Sequence, residues 1–186
     1  VAEPPTRVAS LEELRVGFVV GTLGQGGAER QLYYMLTALR DRGARPQVLC
    51  LTQQEFWEEP IRDLGIPVTW VGEHGSRLRR LTRIIDELRR APVDVVQSQH
   101  FYTNIYAAVA ARHHGVPGVG ALRSDALSEV AASSRMLGMA SLRMPRAIAA
   151  NSRRAIENAV ALGVARHRLH FLPNVVDVRQ FSPERG

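Results

Sequence analysis

The chain has 186 residues, 45% of them hydrophobic, enough for one sizeable core that removes about 70% of the unfolded surface from water. Its formal net charge is +6, and no lysine occurs, so arginine carries the basic balance. That charge attracts any polyanion. Aromatic residues make up only 6%, too few for the stacking platform of a nucleic-acid binder. No apolar run approaches the ~20 residues of a membrane-spanning helix.

Residues 1–14, opening "VAEPPTRVAS", read as an amino-terminal extension without the basic-then-apolar order of a secretory leader. The absence of an initial methionine suggests a processing boundary. "RVGFVV" (15–20) is the first β-branched apolar run, and "GGAERQLYYMLTALRDRG" (26–43) follows as a helix with Leu32, Met35, Leu36 and Leu39 on one face. "PQVLCL" (46–51) contains Cys50, the single cysteine. It excludes an internal disulfide, reads as a small core hydrophobe and suits a reducing, cytoplasmic compartment. "IPVTWV" (66–71) precedes an arginine-rich helix, 76–90, with Leu78, Leu81, Ile84, Ile85 and Leu88 on its apolar face and Arg79, Arg83 and Arg90 opposite.

"VDVVQS" (93–98), "GVPGVGAL" (115–122), "RAIAAN" (146–151) and "RLHFLP" (168–173) are the remaining strand runs. Helical patterns at 101–115 and 151–163 each end at glycine, as a left-handed cap prefers. A third, 126–144, is interrupted by Gly138 and serines. The runs lack strict alternation, as strands buried on both faces do. Strand–helix alternation of this regularity predicts a Rossmann-like, doubly wound α/β domain over 15–173: a mainly parallel sheet of about seven strands with helices on both faces. The tail 174–186 turns polar, as a connection leaving a domain does.

Ligands of such sheets bind at the carboxyl ends of the strands. The residues there are Gly21 to Gly27, Gly72 to Gly75, Gln99 to Asn104, Arg123 to Asp125, Asn151 with Ser152, and Asn174. This edge is polar, glycine-rich and short of carboxylates. A dinucleotide fingerprint would continue Gly24 and Gly26 with glycine at position 29, which is Glu29, and the second strand runs into Leu51, Thr52 and Gln53 without an acid. A P-loop would follow glycine with lysine, and Gly27 is followed by Ala28. What remains is Gly26-Gly27 at a helix start, either a packing turn or an approach for phosphate, and phosphate is the favoured reading. Glu29 reads either as complementing the helix dipole or as accepting from a sugar hydroxyl.

"GGAERQL" after the first strand, and "AIAANSRRAIENAVALGVARHRLHFLPNVVDVRQFSP" at the end, resemble the amino-terminal half of the GT-B retaining glycosyltransferases of family 4. The closing pattern comprises Leu162, Gly163, Val164, Leu169, Leu172, Pro173, Asn174, Val176, Asp177, Phe181 and Pro183. The similarity runs from about Arg15 to Pro183. It implies one half of a two-domain enzyme that transfers a hexose from a nucleotide diphosphate sugar to an acceptor hydroxyl with retention. By the same resemblance, this half chiefly holds the acceptor, its glycine loop (Gly26, Gly27) approaches the donor diphosphate, and an absent second half grips the nucleotide. The isolated domain is then expected to be inactive.

The family often has a His-Ser-His sequence after the fourth strand; here Gln97, Ser98 and Gln99 match it, with His100 one place later. His100 is the candidate catalytic residue if the loop shifts by one, and otherwise a polar cap for the next helix. Val175 replaces the usual linker glycine. Acceptor-binding candidates are Glu29, Gln99, Asn104, Arg123, Asn151 and Ser152. Arg123 suits an acceptor phosphate or carboxylate, or else pairs with Asp125. Asn151 and Ser152 start a helix, so N-capping is their first role.

No metal or other cofactor is expected, since no Asp-x-Asp motif occurs. The expected partners are a nucleotide sugar and a glycan, lipid or small-molecule acceptor, with no nucleic acid. Helix 76–90 is either a solvated face or a peripheral contact with anionic lipid on the inner membrane surface. Met136, Met139 and Met144, beside Leu137 and Leu142, fill core or line an acceptor-lipid groove. The competing reading is a non-catalytic Rossmann module binding a small phosphorylated ligand or an anionic membrane.

Overall fold

The computed structural model describes residues 10–176, and its ordered elements alternate strand and helix throughout. They are β1 (Arg15–Val20), α1 (Gly27–Asp41), β2 (Arg45–Cys50), α2 (Glu58–Asp63), β3 (Val68–Trp70) and α3 (Arg77–Arg90). β4 (Val95–Ser98), α4 (Asn104–His114), β5 (Gly118–Leu122), α5 (Ala126–Ala132) and α6 (Arg135–Arg143) follow. β6 (Ala147–Ala150), α7 (Arg153–Ala161) and β7 (Leu169–Phe171) complete the order. The seven strands form one sheet in the order β3-β2-β1-β4-β5-β6-β7, and every pairing is parallel.

Burial on both faces follows from the period of two along each strand. Val16, Phe18 and Val20 of β1 pack with Leu32 and Leu36 of α1 and Ile61 of α2. Val19, one residue out of phase, packs with Ile84 and Leu88 of α3 and the alanines of α4. A third cluster joins Leu122, Ile148 and Ala150 to α5, α6 and α7. Helices therefore cover both faces of a doubly wound sheet, in agreement with the sequence pattern. Gly115 and Gly163 end α4 and α7 with φ of +68° and +85°, the left-handed backbone that glycine adopts without Cβ strain.

Three local expectations change. The 126–144 helix breaks at Ser133 and Ser134 rather than at Gly138, with Ser134 Oγ accepting from the Leu137 N–H to start α6. Gly138 instead lets two helices touch, since a Cβ there would come within 2.9 Å of the Val130 backbone. Leu78 is 69% exposed at the start of α3, where the helix overhangs the sheet, although Ile84 and Leu88 are buried as expected. The methionines do not form one cluster: Met139 packs on the core, while Met136 is 79% exposed. Among the described residues no helix is long and apolar enough to cross a membrane. The closing-pattern residues Asp177, Phe181 and Pro183 lie outside the described range.

Candidate functional site at the β1–β4 switch point

Strand order reverses between β1 and β4, because β1 turns toward β2 while β4 continues toward β5. The loops leaving these two strands define the crevice where a doubly wound sheet binds ligands. From β1, the chain runs through Gly21–Gly26 into α1, whose N-cap is Gly26 with extended backbone. Glycine offers no capping side chain, and no side-chain hydrogen bond caps this end. The first-turn N–H groups have no intrahelical acceptor, and the helix dipole is positive there.

The two adjacent glycines differ. A Cβ on Gly26 would overlap the carboxylate of Glu29, which folds back across the helix start. A Cβ on Gly27 would meet nothing within 4 Å. Internal packing therefore requires glycine at position 26, whereas position 27 faces open space.

From β4, Gln99 and His100 turn toward that loop. His100 Nδ1 accepts from the Gly21 N–H at 3.1 Å, so Nε2 carries the proton and donates to Glu29 Oε1 at 2.9 Å. Tyr102 stacks on the imidazole at 5.5 Å between ring centroids, and its hydroxyl occupies the place a Cβ on Gly21 would take. Burial, with added repulsion from Cys50, Glu29, Glu55 and Glu129, pushes the Tyr102 phenol up to about 12. It stays protonated at neutral pH. Both ring nitrogens of His100 are engaged, so the imidazole does not cap the following turn. That turn closes through Thr103, whose hydroxyl accepts from the His100 N–H at 3.3 Å.

Gln99 is fully buried. Its Nε2 donates to the Ala28 carbonyl in the first turn of α1 at 2.6 Å, while its Oε1 faces Arg123 Nη2 at 3.5 Å. Gln99 thus links the helix start to the end of β5. Asp125 does not neutralise Arg123, because its carboxylate accepts from Asn158 and Ser128 instead.

Asn104 is corrected as a ligand contact. It is fully buried, its Nδ2 donates to the carbonyls of Ala121 and Ser141, and its Oδ1 accepts from the Ala121 N–H at 2.8 Å. No polar atom is left for an acceptor; Asn104 bolts α4 to β5. Asn151 Nδ2 donates to the Arg123 carbonyl at 2.8 Å. Ser152 Oγ accepts from the Ala155 N–H at 3.1 Å, so Ser152 caps α7.

Sequence reasoning missed Glu55. Its carboxylate accepts from the Thr22 and Thr52 hydroxyls and the Leu23 N–H, pinning the glycine loop from beneath. Burial alone would raise this carboxyl, but the hydrogen bonds from Thr52, Leu23 and Thr22, with the charge term of His100, outweigh it and hold it low. The edge is therefore less poor in carboxylates than its sequence suggested. Glu55 precedes α2 in "TQQEFWEEP", where three other glutamates carry no distinguishing signal. A cavity of about 640 Å³ lined by Arg146, His167 and His170, among others, lies around the amino ends of β5 to β7, away from this crevice. Among the described residues no group of three or more His, Cys, Asp or Glu is placed to hold a metal ion.

Comparison with known proteins agrees with this architecture. The structure of Anabaena HepE in complex with UDP superposes with a TM-score of 0.75 at 19% identity, covering 92% of this chain and 47% of that one. A glycosyltransferase from Rickettsia africae gives 0.67 at 14%, covering 94% and 46%. The UDP-N-acetylglucosamine 2-epimerase from Rickettsia bellii gives 0.64 at 14%, covering 93% and 48%. The chain thus spans about half the length of the structures it matches. No curated protein matches it. Residues 25–180, most of the chain, match the family described as Glycosyltransferase Family 4. With its all-parallel Rossmann-like sheet and the glycine loop at the switch point, the chain belongs to Glycosyltransferase Family 4 as one half of a GT-B fold.

Proposed function

We propose that the chain is the acceptor-side half of a retaining glycosyltransferase that moves a hexose from a nucleotide diphosphate sugar to an acceptor hydroxyl. The observation that carries this reading is the uncapped start of α1, with open space over Gly27, beside the Glu29–His100 pair across the switch point. The family assignment agrees with it.

The first-turn amides, those of Gly27 and its neighbours, take the donor diphosphate and stabilise the charge that grows on it as the sugar–phosphate bond breaks. Glu29 accepts from a sugar hydroxyl, and His100, held by Gly21 and stacked on Tyr102, sets the position of the transferred sugar or the attacking hydroxyl. Asn151 and Gln99 fix the frame around them, and Ser152 sits beside the crevice as a cap. No metal is required when backbone amides supply the phosphate site. The proposed setting is cytoplasmic, at the supply of nucleotide sugars.

The full product of the gene, incubated with UDP-glucose and a library of hydroxyl acceptors, should release UDP and form a glycoside of retained configuration. Recovery of an epimerised nucleotide sugar, or binding without turnover of any nucleotide sugar, would overturn the reading.

A further inference from the structure

Arg123 stands apart from the other arginines in its surroundings. Those of the exposed faces meet carboxylates, such as Arg15 with Asp94 and Arg83 with Glu87, while Arg168 donates to backbone carbonyls of the preceding segment. Arg123 lies at the carboxyl end of β5, and among the described residues no carboxylate is within ion-pair distance. Its Nε is buried without a hydrogen-bond partner. Its one polar side-chain contact is the Gln99 carbonyl oxygen at 3.5 Å, at the long limit of a hydrogen bond. Burial alone pulls its pKa down, and no carboxylate offsets that. The nearest acid in sequence, Asp125, is turned away toward Asn158 and Ser128.

A guanidinium withdrawn from water and left with unused donors is complementary to a planar or tetrahedral oxyanion, which takes two parallel N–H bonds. Its place decides which oxyanion. β5 is two strands from β1, about 10 Å at the ~4.8 Å strand spacing, so the anion lies across the crevice from the diphosphate seat on α1. We propose that Arg123 is the recognition site for an anionic group, a phosphate or carboxylate, carried by the acceptor. This rests on the sugar-transfer reading and narrows its acceptor to a charged class.

Inorganic phosphate and UDP are the probes. The full gene product, 15N-labelled at arginine and glycine, is titrated with phosphate at constant ionic strength while the arginine Nε–H resonances are followed. The expected result is a saturable shift of one resonance that disappears in both Arg123→Gln and Arg123→Lys and persists when UDP is added in excess. No saturable shift at Arg123 overturns the proposal. Displacement of phosphate by UDP also overturns it, by assigning the arginine to the donor.

The glycine amides report the parent reading separately. UDP shifting Gly27 without any phosphate response at Arg123 sinks the acceptor site alone. Phosphate at Arg123 without UDP at Gly27 leaves the anion site standing and counts against sugar transfer. Should Arg123→Gln fail to fold, the Lys variant and the wild-type titration still decide.

Discussion

Gly26 and Gly27 look equivalent in sequence but are separable by substitution. Gly26→Ala drives a methyl into the Glu29 carboxylate, so it should displace Glu29 from His100 and lower both Tm and activity. Gly27→Ala meets no protein atom. It should leave Tm unchanged or raise it by the roughly 0.4–1 kcal/mol that glycine replacement brings at a compatible site, while weakening UDP-sugar turnover. Equal loss of stability in the two variants, measured by thermal denaturation, would sink the assignment of Gly27 to ligand approach. The His100–Glu29 contact makes a second prediction: His100→Ala should reduce kcat by roughly 10²-fold with little effect on Tm. Glu29→Gln keeps the shape of the side chain but not its charge, and should raise KM for the sugar more than it lowers kcat. The glycine loop and His100 were legible in sequence, because spacing after a strand is local information. Glu55 and Tyr102 were not, since their roles arise only when loops distant in sequence fold over Gly21. Asn104 shows the reverse error: a polar residue at the ligand edge turned out to be consumed by the backbone of β5.

At the level of elements, two ties between non-adjacent segments hold the frame of the crevice. Asn104 satisfies the Ala121 N–H and two carbonyls in a fully buried setting, so Asn104→Ala leaves those groups unpaired. The expected destabilisation is about 3 kcal/mol, read as a shift in urea midpoint with unchanged m-value. The second tie is at the opposite edge, where Asp94 before β4 meets the first residue of β1. Asp94 accepts from the Arg15 backbone N–H and guanidinium, which hold its carboxyl down at about 2 from its usual 3.8. A depressed carboxyl contributes stability above its unfolded pKa and loses it as pH falls through the folded one. The Arg15–Asp94 contribution should therefore be complete above about pH 4 and disappear toward pH 2. Asp94→Asn should remove that part of the acid dependence, so an unchanged wild-type-minus-variant difference from pH 6 to pH 2 would refute it. Long periodic elements such as α1 and α4 were legible because apolar spacing repeats over several turns. The 126–144 segment was misread at its break because Gly138 is a stronger local breaker than the two serines. Only packing against Val130 shows why that glycine stays helical.

For the whole molecule, the decisive fact is that every candidate ligand group faces one open edge. The α1 amides, Glu29, His100 and Arg123 line the switch-point side, and nothing among the described residues covers them from above. The segment leaving β7 runs along that edge: Gln31 of α1 both donates to the Val175 carbonyl and accepts from its N–H, each at 2.7 Å. Phe171, Leu172, Val175 and Val176 are left exposed there. A half-cleft of this kind can offer amides to a diphosphate but cannot exclude water, and electrostatic stabilisation of a leaving phosphate depends on that exclusion. The 186-residue chain should therefore bind UDP-glucose weakly and show no transfer to any acceptor, while the full gene product turns over. Mixing the chain with the separately expressed remainder of that product should restore activity if the exposed apolar residues form the seat of the second half. Placing charge there, by Phe171→Asp together with Val176→Asp, should abolish the restoration without lowering the chain's own Tm. Turnover by the 186-residue chain alone, followed by UDP release, would show that the site described here is complete in itself, and the two-half account would be wrong.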